Sequence, residues 1–476
     1  MVMAMIFINI DKNRHKGYLY KQIYQEIKKA ILERKLREND KLPSKRELAD
    51  SLNVSVNTIS HAYEQLLAEG YIYAIERSGF YVEKITDFTK IKTEKVALPE
   101  DLKETYIERE NWNSFSHMAA DISLFPFHEW KKCQQRAIEN HCSEIEHIPH
   151  HQGPYLVRKT IAELISLTRG VVCEPEQVVI SVGTQPLVEQ FVRMQQKHEP
   201  LTIAVEDPGY ARMYRHLKQT GANVEPVPLD EKGMDVVEVA KREADVALVT
   251  PSHQFPMGMI MPISRRIELL NWAAERPNRY ILEDDYDSEF KYDTDQIPSL
   301  QSLDQHQRVI YLGTFSKSLF PGLRISYMVL PIPLLRKYRK HYDHLIPYSN
   351  TINLYTLHYF IEDGFYHRHI KRMSNHYKAK RQLLIESLHR YFGHSVEIVD
   401  IPAGLHFVAH FKTEKSYEQV EEDAKKYKLE IYSMRRFMLN RQIKHNGKVT
   451  LVLGFATIDK DDIDEAVKQL YRVIHD

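Results

Sequence analysis

The sequence predicts two domains of different class: a small α+β module of three helices closed by a β-hairpin, then a large α/β domain built on a sheet with helical crossovers. Three observations predict this. The first 85 residues carry three helical periods and a hairpin pattern. From about residue 113, short apolar runs alternate with helix-like stretches. Between them, residues 86–112 lose all periodicity and mix Lys-rich with acidic patches around Pro99, as a mobile interdomain linker does.

The whole chain bounds the rest. Its 476 residues exceed one ordinary domain. Lys plus Arg and Asp plus Glu are 65 each, so any basic surface must be local. A hydrophobic share of 43% excludes a disordered chain. The cysteines Cys133, Cys142 and Cys173 are odd in number and form no C-x-x-C pair, which fits a reducing cytoplasm. The apolar start, Met1 to Ile8, lacks a basic leader and a cleavage site, so it reads as a ragged start before a strand rather than a signal peptide. No apolar run approaches the roughly 20 residues that cross a bilayer, and no membrane partner is expected.

The first helix is marked by Ile23, Ile27, Ala30 and Ile31 on one face. Ser44 with Glu47 three residues on is a capping box, worth about 1 kcal/mol, and starts the second helix. After the turn Leu52-Asn-Val-Ser55, a third helix runs to about Glu69 and stops at Gly70, with Ala62, Tyr63, Leu66 and Leu67 inward. Tyr71 to Val82 reads as a hairpin turning at Arg77-Ser-Gly79. That order is a winged helix-turn-helix, in which the third helix enters the major groove and basic flanks meet phosphates. Lys12 to Arg46 supplies the flank, with twelve Lys or Arg against four Asp or Glu. A solvated charge run on a helical accessory domain is the alternative. The segment resembles the GntR superfamily's DNA-binding domain in Leu42-Pro-Ser-Lys-Arg-Glu-Leu-Ala49, Val54-Ser55, Thr58, Ala62-Tyr63, Leu66 and Glu69-Gly70. The resemblance implies contacts to a double-stranded promoter operator from Ser44, Lys45, Arg46, Ser55, Asn57, Thr58, His61 and Arg77. Val56 stands where the family commonly has Arg, which removes one contact.

In the large domain, strands are expected at Val178–Ile180, Ile203–Val205, Val246–Val249, Tyr280–Leu282, Val309–Leu312 and Tyr327–Leu330. The densest signal follows the fifth run. There, Gly313-Thr-Phe-Ser-Lys-Ser318 precedes Pro321-Gly322 and Arg324. A lysine between hydroxyls, with an arginine seven residues on, suits an aldehyde carrying a phosphate: Lys317 forms the imine, and the hydroxyls and Arg324 hold the dianion. Gly183-Thr184-Gln185 opens a helix after a strand, a phosphate-binding geometry. Tyr210 follows the next strand and could stack on a ring. Glu283-Asp284-Asp285 ends another, where a carboxylate could hold a pyridine nitrogen protonated or the acids could simply be solvated. No converging His or Glu spacing supports a metal, so none is expected.

In this order the loops resemble type I aminotransferases, the pyridoxal-phosphate enzymes of the aspartate aminotransferase fold, from about Gln152-Gly-Pro-Tyr155 to the end. The resemblance implies pyridoxal 5′-phosphate as cofactor, with Lys317 as the Schiff base and Asp284 on the ring nitrogen. It implies Tyr286 on the phenolic oxygen, Tyr210 stacked on the ring, and Gly183, Thr184, Gln185, Thr314, Ser316 and Arg324 around the phosphate. Two departures are Ser326, where enzymes often have Gly, and Met257, where they often have Thr. The domain would span 113–476, its large subdomain about 150–350 and its small subdomain 113–149 and 351–476. A GntR-type domain before an aminotransferase-type domain resembles the MocR subfamily of bacterial regulators, and within it the 4-aminobutyrate-responsive, GabR-type branch. That implies a cytoplasmic protein, nucleoid-associated when on DNA, and a head-to-tail homodimer. It further implies a short amino-acid effector such as 4-aminobutyrate, forming an external aldimine while Arg212 and Arg436 hold its carboxylate. Such a regulator controls the effector's utilisation genes and its own gene, with little or no turnover. A working aminotransferase with a DNA tether, and a repressor using the large domain only as a scaffold, are the alternatives.

Overall fold

The computed structural model describes residues 8, 18–85, 98–104, 112–118, 120–196, 199–292, 297–399, 401–440 and 446–476. The apolar start, the first part of the basic run and most of the expected linker lie outside the described residues. The chain divides into two compact units, residues 1–107 and 108–476.

In the first unit, α1 (Leu19–Leu32) buries Ile23, Ile27 and Ile31. Helix α2 (Lys45–Leu52) starts on the capping box: Ser44 Oγ accepts from Glu47 N, and Glu47 accepts from Ser44 N. Helix α3 (Val56–Ala68) is capped by Ser55, whose hydroxyl accepts from Thr58 N at 3.2 Å. Ile59, Ala62, Tyr63 and Leu66 point inward, and Gly70 takes φ 72° just past the helix end. Tyr63 donates to the Pro43 carbonyl at 2.8 Å, tying α3 to the turn before α2. Strands β1 (Ile72–Ile75) and β2 (Gly79–Val82) form the hairpin, with Arg77 at φ 60° in its turn. One core joins all five elements, from Ile23 to Val82.

The second unit opens with β3 (Asn113–Ser114). Its main sheet contains β4 (Val178–Ser181), β5 (Thr202–Asp207), β6 (Asn223–Asp230), β7 (Gly233–Met234), β8 (Val246–Val249), β9 (Tyr280–Asp285), β10 (Val309–Thr314) and β11 (Ser326–Val329). The order is β4-β11-β10-β9-β8-β5-β6-β7. Strands β10, β9, β8, β5 and β6 run parallel, and β11 is antiparallel to both β10 and β4. The parallel strands are apolar runs because helices cover both faces, with one core on Phe191, Leu217 and Leu282 and another on Val239, Trp272 and Ile281. A smaller antiparallel sheet follows, with order β12 (Val396–Val399), β13 (His406–Lys412) and β15 (Lys448–Gly454); β14 (Leu429–Glu430) pairs with β3.

Segments 113–149 and 351–476, grouped by sequence as one small subdomain, divide between two cores. Phe125, Trp130 and Ala137 of the first segment, with Leu354, Leu357 and Phe360 of the second, pack with Val178, Ile180 and Tyr311 of the main sheet. Phe115, Met373, Phe407 and Leu470 build the core of the smaller sheet. Apolar periodicity marks a buried face in both places but not its partner, so the sequence does not say which sheet each stretch serves.

Candidate functional site

In the first unit the DNA-facing candidates fall into two groups. Ser44 and Ser55 commit their hydroxyls to helix caps, and Thr58 bonds Ser55 at 2.8 Å. Lys45 bonds Ser60 at 2.7 Å and lies 5.5 Å from the Phe80 ring, so it is partly engaged as well. Arg46, Asn57, His61 and Arg77 are exposed, and Arg46 has no ion pair among the described residues. His61 lies 3.8 Å from Glu64. Val56, at the start of α3, presents an apolar surface 43% exposed.

In the second unit the parallel strands end at one edge, where α/β folds bind ligands. Loops after β4, β5, β8, β9 and β10 meet there around a cavity of about 340 Å³. It is lined by Gly183, Thr184, Gln185, Tyr210, Arg212, Asp284, Tyr286, Thr314, Ser316, Lys317 and Arg324. These are all the residues expected around a cofactor, with one of the two effector arginines.

Each is positioned by its element. Thr184 begins a helix whose first turn no side chain caps, so its backbone N–H groups face the cavity edge as anion donors. A Cβ on Gly183 would lie 2.5 Å from Arg324 Nη2, so a larger residue would push that guanidinium from its place. Arg324 itself holds φ 55°, a conformation uncommon for a residue with a Cβ and frequent at functional sites. Thr314, Ser316 and Ser326 form a hydroxyl cluster, with Ser326 Oγ donating to Thr314 Oγ1 at 2.8 Å. The serine that departs from the enzyme pattern therefore supports the hydroxyls beside the lysine.

The acids at the end of β9 do three different jobs: alternation turns Asp284 to the side opposite Glu283 and Asp285, and those two meet different partners. Glu283 accepts from the backbone of Leu300 and Gln301 at 2.7 and 2.9 Å. Asp285 pairs with buried Arg169 at 2.7 Å and accepts from Tyr311 at 2.5 Å. Asp284 faces the cavity, and its Oδ1 is buried with no hydrogen-bond partner among the described residues. Burial, with Asp285, Glu206 and Asp287 nearby, pushes its carboxyl up to about 7. A lone buried acid asks for a protonated partner. Burial brings the Lys317 ammonium down to about 8, and its Nζ donates to the His117 carbonyl. An imine-forming amine, an orphan acid for a pyridinium, and a glycine cradle with an arginine for a phosphate together fit pyridoxal 5′-phosphate. When bound, that group supplies an electron sink for amine chemistry.

Arg212 sits in the first turn of the helix Ala211–Gln219 and is exposed. The acids that could have neutralised it are taken. Glu206 binds Thr250 and Gln254, and Asp207 accepts from Leu439 N at 2.9 Å. Arg436, in the turn Met434–Phe437, does not line the cavity; its guanidinium lies 5.3 Å from the Tyr432 ring. Two hydrogen bonds fasten these loops together: Gly209 N to Phe437 O at 3.0 Å, and Leu439 N to Asp207. Neither arginine has an ion pair among the described residues. The lining also includes Thr250, Phe255, Pro321 and Ser326, to which sequence reasoning gave no role around the cofactor, and His117 and Met118, which it did not single out. His117 packs edge-on against Tyr432 and Phe437, and burial with the positive Lys317, Arg212 and Arg436 holds it down to about 3. It comes from a stretch without a motif, and only the tertiary fold brings it in.

Comparison with known proteins agrees with both halves. Residues 19–82 match the family of bacterial regulatory proteins called gntR, and residues 113–470 match aminotransferase class I and II. The uncharacterized HTH-type transcriptional regulator YdeL of Bacillus subtilis is 38% identical over 95% of this chain and 96% of its own. The probable rhizopine catabolism regulatory protein MocR of Rhizobium meliloti is 29% identical over 95% of this chain and 93% of its own. Among solved structures, the α-aminoadipate aminotransferase LysN of Thermus thermophilus, complexed with N-(5′-phosphopyridoxyl)-L-leucine, superposes with a TM-score of 0.67. It is 26% identical, covering 77% of this chain and 92% of its own.

Proposed function

Because the chain belongs to the MocR-type transcriptional regulators, in which a gntR-family DNA-binding domain precedes a class I and II aminotransferase domain with pyridoxal 5′-phosphate as cofactor, we propose that it senses a short ω-amino acid, 4-aminobutyrate foremost. The effector's amine reaches the cofactor at Lys317, and its carboxylate meets Arg212 and Arg436. In this reading the protein is a head-to-tail homodimer that controls the effector's utilisation genes and its own gene.

One observation carries the reading. Arg212 and Arg436 have no carboxylate partner among the described residues, yet the loops that bear them are hydrogen-bonded to each other beside the cavity. Arg324 and the Gly183 cradle serve the phosphate, so the other two remain for a second anion. Two guanidiniums hold a carboxylate by charge-assisted bonds. Binding there shifts the protein between states only as far as the states differ in affinity. The lowered pKa of Lys317 gives it a larger neutral fraction, which would favour imine chemistry with an aldehyde; Asp284 and Tyr286 would hold the ring, with Phe255 and His117 lining the same cavity.

The test is a titration of purified protein with a panel of amino acids, read by cofactor absorbance and by promoter binding. A short ω-amino acid should change both, and the corresponding amine without a carboxylate should change neither. An equal response to that amine would refute the role of the arginines. Steady-state conversion with a keto acid at enzyme-like rates would instead favour a working aminotransferase.

A further inference from the structure

Behind Tyr286 stand two side chains that line no part of the cavity. His253, after β8, and Asp287, after β9, are each 2% exposed. Nδ1 of His253 lies 2.9 and 3.1 Å from the two Asp287 oxygens and 3.0 Å from the Tyr286 hydroxyl. One nitrogen thus faces both neighbours. A carboxylate only accepts, so Nδ1 must carry the proton it receives. The other ring nitrogen, Nε2, has no hydrogen-bond partner among the described residues. Tyr286 can then offer Nδ1 only a lone pair, and its own proton has to leave on the other side, toward the cavity it lines.

We propose that Asp287 and His253 are positioning residues that fix Tyr286 as a hydrogen-bond donor into the cavity, aimed at the phenolic oxygen of the cofactor. This rests on the assignment of Tyr286 to that oxygen. The remaining titratable neighbours do not compete for the proton. Burial, with Asp287, Asp284, Glu206 and Asp285 nearby, holds the Tyr286 hydroxyl well above its ordinary value, so it stays protonated. The His406 ring lies 4.8 Å from His253, tilted against it, but its Nε2 is engaged with the Pro256 carbonyl at 3.1 Å, and burial keeps it neutral. The logic is that of a carboxylate fixing a histidine tautomer, used here to orient a tyrosine.

The readout is the pH titration of the visible band of the cofactor-loaded, full-length protein, which follows the proton on the imine nitrogen. A donor to the phenolic oxygen lowers that pKa, because the oxygen is most negative once the imine proton is gone. Asp287→Leu removes the acceptor, lets Nδ1 take the tyrosine's proton, and should raise the pKa by about one pH unit. Tyr286→Phe should raise it similarly, and the double variant should go no further. Asp287→Glu, which restores an acceptor, should return the value toward wild type. His253→Phe keeps a ring in place and removes the competing nitrogen, so its shift should be the smaller. Its residual effect should vanish on Tyr286→Phe, which serves the test if Asp287→Leu does not fold. The proposal is overturned if Asp287→Leu leaves the titration unmoved while Tyr286→Phe shifts it, or if the Asp287 effect persists without the hydroxyl. If Tyr286→Phe itself shifts nothing, the assignment of Tyr286 fails first.

Discussion

The two units handle their polar groups in opposite ways. In the helical unit, the polar side chains at motif positions are mostly satisfied: Ser44 and Ser55 cap helices, and Lys45 binds Ser60. What faces solvent is a set of long or amide side chains on a rigid frame. In the sheet unit, most of the functional groups lack a protein partner: among the described residues Asp284 Oδ1 has no hydrogen bond, and Arg212, Arg324 and Arg436 have no acid. A buried acid left without a partner, as Asp284 is, is costly, so it marks the place where a ligand completes the structure. A DNA surface needs no buried orphan groups, because phosphates arrive from water and are met in water.

The contrast is tested most severely at Lys317. Lys317→Ala should abolish the borohydride-reducible link to the cofactor and the effector response, yet leave operator binding intact. A retained covalent link would locate the imine elsewhere. The second test uses the amine's depressed pKa. An ammonium at about 8 is about one-tenth neutral at pH 7, against roughly one part in three thousand at the ordinary 10.5. Capture of pyridoxal phosphate by cofactor-free protein should therefore rise about tenfold per pH unit below about 8 and flatten above it. A rate still climbing toward pH 10 would contradict the burial of Lys317.

The effector arginines come next. A bidentate charge-assisted contact contributes roughly 1.5–3 kcal/mol, so Arg436→Ala and Arg212→Ala should each raise the effector concentration needed by about tenfold to a hundredfold. Cofactor absorbance without effector should not change. Arg46→Ala tests the other unit: without its guanidinium, one phosphate fewer is neutralised, and the log–log salt slope of operator binding should fall by about 0.9. An unchanged slope would remove Arg46 from the interface.

Most of this was legible in the sequence where a local rule fixes a local outcome. The Ser44–Glu47 box, the stop at Gly70 and the hairpin at Arg77 depend on neighbours within a few residues. The order of loops after β4, β5, β9 and β10 carried the cavity, because parallel strands bring their ends to one edge. His117 was not legible, since only the fold brings it to Lys317. The split of 113–149 and 351–476 between two cores was not legible either, because periodicity names a buried face and not what covers it. Nor could the sequence give Glu283, Asp284 and Asp285 separate duties; strand alternation sets Asp284 apart, and the tertiary partners of Glu283 and Asp285 separate those two.

The smallest expected effect separates stability from recognition inside the helical unit. Ser55 is both a motif residue and the N-cap of α3, and its hydroxyl accepts from Thr58 N. If the cap is its whole contribution, Ser55→Ala should cost about 1 kcal/mol, visible as faster hydrogen exchange at the α3 amides of the full-length protein. Operator affinity should fall no further than that loss of order explains. Ser55→Asp keeps an acceptor for Thr58 N and suits the positive end of the helix, so exchange should stay near wild type. The added negative charge would nevertheless meet phosphate if α3 enters the groove by its N-terminus, and operator binding should weaken. A stable Ser55→Asp variant that binds as tightly as wild type would mean that the start of α3 does not approach the DNA backbone.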